Sequence, residues 1–176
     1  MENLYETGLE FIRWLQGNYP QLEGFFLAIS NLGREEFYLT VLLLIYWCIN
    51  KGAGRLLGYM LFTAMAVNTT LKHAFRGPRP FWIDPQVGIE ETGGYGVPSG
   101  HTQYATTLYL LIAIIVSGFW VWLAAIIMVL LMALSRIYLG AHFIHDVVGG
   151  FLVGLVLVVL ALIWERRLST RFHKRI

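Results

Sequence analysis

Residues 143–164 read FIHDVVGGFLVGLVLVVLALIW, an apolar block that by itself has the length of a membrane-spanning helix. Such a helix needs about 20 predominantly apolar residues, within a range of about 17–25. The block lacks the alternation of apolar, lipid-facing residues with polar, inward-facing residues that is typical of a membrane β-strand. It therefore predicts a transmembrane helix and favours an all-α class of fold.

Outward from this block, the sequence contains four further apolar segments, at residues 37–50, 56–71, 102–117 and 119–134. The first reaches spanning length only if the charged residues 34–36 lie at the membrane interface. Gly118 alone separates the last two, so we expect a turn within residues 117–122. The sequence thus predicts a polytopic integral membrane bundle of five to six helices, including an N-terminal interfacial helix.

The composition excludes most other classes of protein. Of the 176 residues, 57% are hydrophobic and 14% are charged, and the mean hydropathy is +0.61. A soluble domain is about 45–50% apolar and about 25% charged, and a disordered chain is more polar still. The single cysteine, Cys48, excludes an internal disulfide and a multi-cysteine metal site. A net charge of +2 gives no indication of nucleic-acid binding.

The segment 1–33 is predicted to be interfacial or partly inserted. Its first part alternates apolar and charged residues, a pattern typical of a helix lying on a membrane surface. Pro20 interrupts this pattern, and residues 22–32 are too few to span a membrane. The acidic start lacks the features of a secretory signal, so none is expected. Residues 1–176 are interpreted as a single membrane domain that ends in a basic tail at 166–176.

The loops of five spans alternate between two sides, and we call the side of loop 73–101 the front and the other side the back. The back carries seven basic residues: Lys51, Arg55, Arg166, Arg167, Arg171, Lys174 and Arg175. The positive-inside rule places the back in the cytoplasm. The front is therefore expected to face away from the cytoplasm, across a cytoplasmic membrane of the bacterial type.

The first of three polar clusters at the front joins two cations. Lys72 ends an apolar block, and Arg79 follows between Pro78 and Pro80, which stiffen the turn. A lysine and an arginine that converge suit a phosphate group. A basic loop bound to lipid headgroups is the alternative interpretation.

The second cluster, Ser99-Gly100-His101, stands where the third block begins. Ser99 and Gly100 occupy the expected cap and first turn of a helix, whose free N–H groups bind anions. His101 would lie at the same point. A capped helix with a surface histidine is the alternative.

The third cluster surrounds the start of the fifth span. Arg136 closes the fourth block, and His142 and Asp146 share one face of a helix at spacing i, i+4. A carboxylate that holds one ring nitrogen leaves the other free as a nucleophile. A structural buried pair is the alternative. His145 points about 100° away and is interpreted as a supporting residue.

Together the clusters place three cations, helix amides and two imidazoles on one face of the membrane. Fixed cations in a dry pocket stabilise the charge of a transferring phosphoryl group. The combination therefore predicts a phosphoryl-transfer site with no metal ligands.

These motifs resemble the three signatures of the type 2 phosphatidic acid phosphatase superfamily. The matching segments are Lys72-x6-Arg79-Pro80, Pro98-Ser99-Gly100-His101 and Ser135-Arg136-x5-His142-x3-Asp146. All three are complete and in the family's order, over residues 72–146. The family contains lipid phosphatases, polyprenyl diphosphate phosphatases, bacterial acid phosphatases and vanadium-dependent haloperoxidases.

The resemblance implies an integral membrane lipid phosphatase that hydrolyses a phosphate monoester or diphosphate without a cofactor or metal. It makes His142 the nucleophile that forms a phosphohistidine, Asp146 its orienting partner and His101 the general acid. It assigns the binding of phosphoryl oxygens to five residues: Lys72, Arg79, Arg136, Ser99 and Gly100.

Several alternatives stay open at this point. The alternative functions are a vanadate-dependent haloperoxidase-like enzyme, whose pocket would hold vanadate, and a catalytically silent lipid-binding membrane protein, against which the intact motifs argue. Phosphatidic acid, phosphatidylglycerol phosphate, undecaprenyl diphosphate and sphingoid-base phosphates fit equally as substrates, and the oligomeric state is not fixed.

Elsewhere, Gly150-x3-Gly154 predicts helix packing. Three front-loop carboxylates are expected to be solvated: Asp84, Glu90 and Glu91.

Overall fold

The computed structural model describes residues 2–173, with the backbone alone at residue 2 and at 165–173. Every regular element in this part of the chain is helical: α1 (Glu2–Asn18), α2 (Glu23–Asn31), α3 (Glu35–Leu44), α4 (Lys51–Phe75), α5 (Pro80–Ile83), α6 (Gly100–Val116), α7 (Phe119–Tyr138) and α8 (Ile144–His173). A π-helical turn, Ile45–Ile49, prolongs α3, and short 3-10 helices lie at Pro20–Leu22 and Pro85–Val87. The all-α class is confirmed, and the five apolar segments of the sequence lie in α3 with its π-helical turn, α4, α6, α7 and α8.

Among the residues that the structure describes, two helices are long and apolar enough to cross a membrane. They are Phe119–Tyr138, with a mean hydropathy of 2.2, and Ile144–Trp164, with 2.8. Gly100–Val116 is a shorter apolar helix beside them. Large apolar side chains remain exposed on their outer faces, such as Trp120 and Leu160. Such continuous apolar faces suit contact with lipid.

The predicted turn between the third and fourth spans occurs at Ser117 and Gly118. Their φ angles are +61° and +107°, which place both residues in the left-handed half of conformational space. A glycine adopts such angles without steric cost. The two helices therefore reverse direction over two residues, within the predicted range 117–122.

Helix α6 is the centre of the bundle and packs against α4, α7 and α8. Its Leu108 and Leu111 join Leu57 and Leu61 of α4 in the main apolar core. The side of α8 that carries Leu157 completes this cluster. The core therefore fixes the relative positions of the helices whose front ends carry the polar clusters.

Two glycines of α8 bring this helix close to the start of α6, as the small-residue spacing predicts. A Cβ atom on Gly150 would overlap the carbonyl oxygen of Ser99, and one on Gly154 would lie 2.7 Å from Thr106 Cβ. The close approach lets the amide of Ser99 donate to the carbonyl of Asp146 at 2.9 Å. Helix packing thus sets the distance between the second and third clusters.

Replacing Gly150 with alanine is therefore expected to lower the midpoint of thermal unfolding in detergent. The added methyl group meets backbone rather than a flexible side chain, and overpacking of this kind costs about 1–3 kcal/mol. Gly58→Ala is the matched control, because nothing lies within 4 Å of the position its Cβ would take. Equal unfolding midpoints for the two variants would contradict this account.

The N-terminal segment covers part of the front. Leu9 and Ile12 of α1 pack against Val147 and against Phe143, which follows His142 in the chain. The side-chain amide of Gln16 donates to two backbone carbonyls, those of Val87 at 2.9 Å and Tyr138 at 2.8 Å. Helix α1 thus supports the turn between α7 and α8.

In the basic tail, residues 174–176 and the side chains of 166–173 lie outside the described part of the chain.

Candidate active site

The front ends of α4, α6, α7 and α8 meet the loop after α4, and there the structure brings the three polar clusters together. Arg79 directly precedes α5, and Ser99 occupies the N-cap position of α6. Arg136 lies in the last turn of α7, and Asp146 in the first turn of α8. Residues that are far apart in the sequence thus face one buried site.

His142 and Asp146 form a buried pair, with 2% and 0% of their surfaces exposed. His142 Nδ1 lies 3.3 Å from Asp146 Oδ2, which also accepts the amide of Phe143 at 2.9 Å. On the other side of the ring, His142 Nε2 lies 3.3 Å from Arg79 Nη1. A guanidinium can only donate, so we assign the proton to Nδ1 and the free lone pair to Nε2.

The charge state of His142 follows from its surroundings. Burial lowers the pKa of this imidazole well below its usual range, and the positive charges of Arg79, Arg136 and Lys72 lower it further. The ring is therefore neutral near pH 7. A neutral ring with one oriented lone pair meets the requirement for a nucleophile.

Arg79 is almost fully buried and is held by the loop that follows α5. Its Nε donates to the carbonyl of Gly94 at 2.7 Å, and Nη2 donates to that of Gly93 at 2.9 Å. Nη1 donates to Thr92 Oγ1 at 2.6 Å and to the carbonyl of Ala141 at 2.9 Å. Burial and the charge of Arg136 lower the pKa of Arg79 to about 10, so it stays cationic at neutral pH. The sequence alone did not indicate this loop contact.

Arg136 is fully buried and only partly paired. Its Nη1 donates to Ser30 Oγ and, at 2.7 Å, to Glu90 Oε2. Its Nε and Nη2 are buried and have no hydrogen-bond partner among the described residues. Unpaired buried donors are costly, so this edge of the guanidinium is suited to an anionic ligand.

Ser99 and Gly100 lie at the buried start of α6. Ser99 Oγ accepts a hydrogen bond from Thr102 Oγ1 at 3.2 Å. Asn68 of α4 ties this start to its neighbours, donating to Gln103 Oε1 at 2.8 Å and to the carbonyl of Pro98 at 3.2 Å. The first amides of a helix have no acceptor within the helix, so they are available to an anion.

Lys72 and His101 complete the site at the ends of α4 and α6. Lys72 is half-buried in the last turn of α4. His101 Nε2 is buried without a hydrogen-bond partner among the residues described. Gly33 permits the packing at His101, because a Cβ there would lie 2.5 Å from His101 Cδ2. Sequence reasoning missed this glycine.

Two of the carboxylates expected to be solvated are paired instead, and that expectation was wrong for both. Asp84 accepts a 2.6 Å hydrogen bond from Arg13, and this bond lowers the pKa of its carboxyl. Burial would raise the pKa of Glu90, but the charge of Arg136 and the hydrogen bond from Ser30 hold it below its usual value. Glu91 is exposed, as expected.

Within the part of the chain that the structure describes, no group of three or more His, Cys, Asp or Glu side chains is arranged to hold a metal ion. The cations whose charges act on His142 are Arg79, Arg136 and Lys72.

The fold is that of a transmembrane helix bundle known from solved structures. One of them is described as the first transmembrane PAP2 type phosphatidylglycerolphosphate phosphatase from Bacillus subtilis. It superposes with a TM-score of 0.73 over 93% of this chain and 96% of its own, at 22% sequence identity. The similarity defines the fold, a bundle of helices, and the apolar helices α7 and α8 make it an integral membrane bundle.

The chain belongs to the PAP2 superfamily, whose family model matches residues 53–169 and so includes every candidate site residue. An undecaprenyl-diphosphatase from Sulfolobus acidocaldarius is 32% identical over 144 residues, which cover 78% of this chain and 69% of that protein. Mouse sphingosine-1-phosphate phosphatase 2 is 31% identical over 139 residues, 74% of this chain. The chain spans 39% of the length of the mouse protein.

Proposed function

We propose that this protein is an integral membrane lipid phosphatase that hydrolyses a lipid phosphate monoester or diphosphate through a phosphohistidine intermediate. The observation that carries the proposal is the buried, neutral His142, held by Asp146 on one ring nitrogen and facing Arg79 with the other. The relatives support it, since they are named as phosphatases of a sphingoid-base phosphate and of a polyprenyl diphosphate.

In the first step, His142 Nε2 attacks phosphorus, the N–P bond forms, and the bond from phosphorus to the leaving oxygen breaks. The leaving oxygen takes a proton from His101, as a general acid would supply it. Asp146 keeps Nδ1–H oriented and stabilises the positive charge that the ring acquires. In the second step, water attacks phosphorus and the N–P bond breaks, while His101, neutral after the first step, takes a proton from the water. Free phosphate and neutral His142 are released.

The phosphoryl oxygens are bound by the cations and amides around His142. Arg136 offers Nε and Nη2, which have no partner among the described residues. Arg79 exchanges its 3.3 Å contact with His142 for a phosphoryl oxygen, while its bonds to the loop keep the guanidinium in place. Lys72, Ser99 Oγ and the amide of Gly100 complete the cradle. Such fixed donors stabilise the transition state without reorganisation.

The site lies at the front, and we propose that the front faces away from the cytoplasm, as the positive-inside rule indicates. Residues 1–176 then form one membrane domain, with α1 at the front interface. Leu4, Phe11 and Trp14 of α1 are exposed on the face away from the protein. Aromatic and aliphatic side chains on an interfacial helix enter the boundary between headgroups and acyl chains.

The purified protein is expected to release phosphate from at least one lipid in a panel of phosphatidic acid, phosphatidylglycerol phosphate, undecaprenyl diphosphate and sphingosine 1-phosphate. The rate should be unchanged by EDTA, because side chains and the amide of Gly100 fill every proposed binding role. Vanadate should inhibit, because it imitates the five-coordinate transition state.

Halide oxidation by a vanadate-loaded sample without phosphatase activity would favour the haloperoxidase instead. Binding of all four lipids without turnover would favour a catalytically silent lipid-binding protein. Loss of activity in EDTA that added divalent metal restores would contradict the proposed metal-independent mechanism.

A further inference from the structure

Arg136 is a fully buried cation whose electrostatic partner comes from outside the three motifs. Glu90 lies in the front loop, and its Oε2 accepts from Arg136 Nη1 at 2.7 Å. Ser30 of α2 is also fully buried, accepts from the same Nη1 and donates to Glu90 Oε2 at 2.6 Å. Helix α2 and the front loop, which lie outside the sequence motifs at these positions, thus both contact Nη1 of Arg136.

The contacts of Glu90 hold one edge of the guanidinium and leave the other edge free. A guanidinium is planar, so fixing Nη1 restricts the directions in which Nε and Nη2 can point. Those two nitrogens are the ones that are buried without a partner among the described residues. The carboxylate therefore orients the donors that the phosphoryl group would meet.

The position of Glu90 is itself set by the turn that follows Arg136. The amides of Ile89 and Glu90 both donate to the carbonyl of Leu139, at 3.1 and 3.3 Å. Gly140 makes the approach possible, because a Cβ there would overlap the carbonyl oxygen of Val87. Arg34 adds a longer ion pair to Glu90 Oε1 at 3.5 Å. Backbone contacts and the charges of Arg34 and Arg136 thus hold the carboxylate of Glu90 in place.

We propose that Glu90 is a positioning residue that holds Arg136 Nε and Nη2 in the geometry of the transferring phosphoryl group. The inference rests on the proposed function and adds a residue that the family motifs do not contain. Without the carboxylate, Arg136 remains cationic but loses the partner that fixes its plane. Attraction for a phosphate then persists, whereas alignment with the transition state is lost.

The test compares Glu90→Ala and Glu90→Gln with the wild-type protein. We expect kcat to fall on the order of 10²-fold in Glu90→Ala, the loss that a small misplacement of a binding group causes, with little rise in KM. Inhibition by vanadate should weaken in parallel. Glu90→Gln keeps an oxygen that can accept from Nη1 and should recover part of kcat.

Glu91→Gln is the matched control, because Glu91 is the next residue in the same loop and is exposed. It should keep wild-type kcat. If Glu90→Ala fails to fold, Ser30→Ala removes the second acceptor of Nη1 and should lower kcat in the same sense. Wild-type kcat and vanadate inhibition in both Glu90 variants would overturn the inference.

The result separates this inference from the proposed function. If the wild-type protein hydrolyses none of the lipids, the proposed function fails, and vanadate binding still reports on Arg136. Weaker vanadate binding in Glu90→Ala than in Glu91→Gln would then support the positioning role. Equal binding in the two variants would overturn it.

Discussion

Replacing His142 with alanine is expected to abolish phosphate release from every lipid that the wild-type protein hydrolyses. Without Nε2 no phosphoenzyme can form, and loss of a nucleophile costs at least about 10³-fold in kcat. The rate of phosphate release, measured with the His142→Ala protein in the same detergent, gives this ratio directly. The proposed cradle of cations is retained, so substrate binding should survive.

His145→Ala is the matched control for this experiment. His145 Nε2 lies 3.2 Å from Asp146 Oδ1, and its ring stacks on Phe143 at 5.4 Å between centroids. It thus touches the carboxylate rather than the proposed position of phosphorus, and we expect a smaller loss.

A labelled substrate gives an independent readout. Acid-labile, base-stable label should stay on wild-type protein and on His145→Ala, and be missing from His142→Ala. Wild-type turnover in His142→Ala, or label that persists in it, would refute the proposed nucleophile.

The helices could be predicted from the sequence because lipid imposes a length and a polarity on each span. The block 143–164 and the turn at Gly118 are examples, since α8 and the reversal of the chain lie where these patterns put them. The convergence of Arg79, His142 and Asp146 could also be predicted, because alternating spans bring their loops to one side.

The partners of the buried arginines could not be read from local patterns. Glu90 lies in a loop rich in polar residues and glycine, where a carboxylate is ordinarily solvated. Its contact with Arg136 and Ser30 depends on tertiary packing between the loop, α7 and α2. A signal was nevertheless present, because a buried arginine needs an anionic partner and few acidic residues lie at the front.

The amphipathic pattern of α1 was predicted, but its contact with the turn between α7 and α8 was not. An apolar helix face can be buried equally well in lipid or in protein, so periodicity does not distinguish the two. Gly8 allows the contact, because a Cβ there would lie 2.7 Å from the ring of Phe143. The outward face of α1 still carries Phe11 and Trp14, so the helix presents apolar surface on two sides.

Replacing His101 with alanine is expected to slow hydrolysis according to the leaving group. His101 lies in the first turn of α6, and its Nε2 has no hydrogen-bond partner among the described residues. An alkoxide leaving group needs a proton, and a general acid contributes about 10²–10⁴-fold to such a reaction. The aryloxide of an activated aryl phosphate leaves without that proton. With this substrate the rate of phosphoenzyme formation should therefore fall much less in His101→Ala.

The measurement is the burst of leaving group from a lipid phosphate and from p-nitrophenyl phosphate, because the burst isolates the first step. His73→Ala is the matched control, since His73 is an exposed histidine near the same end of the bundle. Equal losses for both substrates in His101→Ala would assign His101 to phosphate binding rather than to proton transfer. A selective loss with the lipid phosphate would identify His101 as the general acid of the first step. A slower hydrolysis of the phosphohistidine in His101→Ala would then show that His101 also acts as the base of the second step.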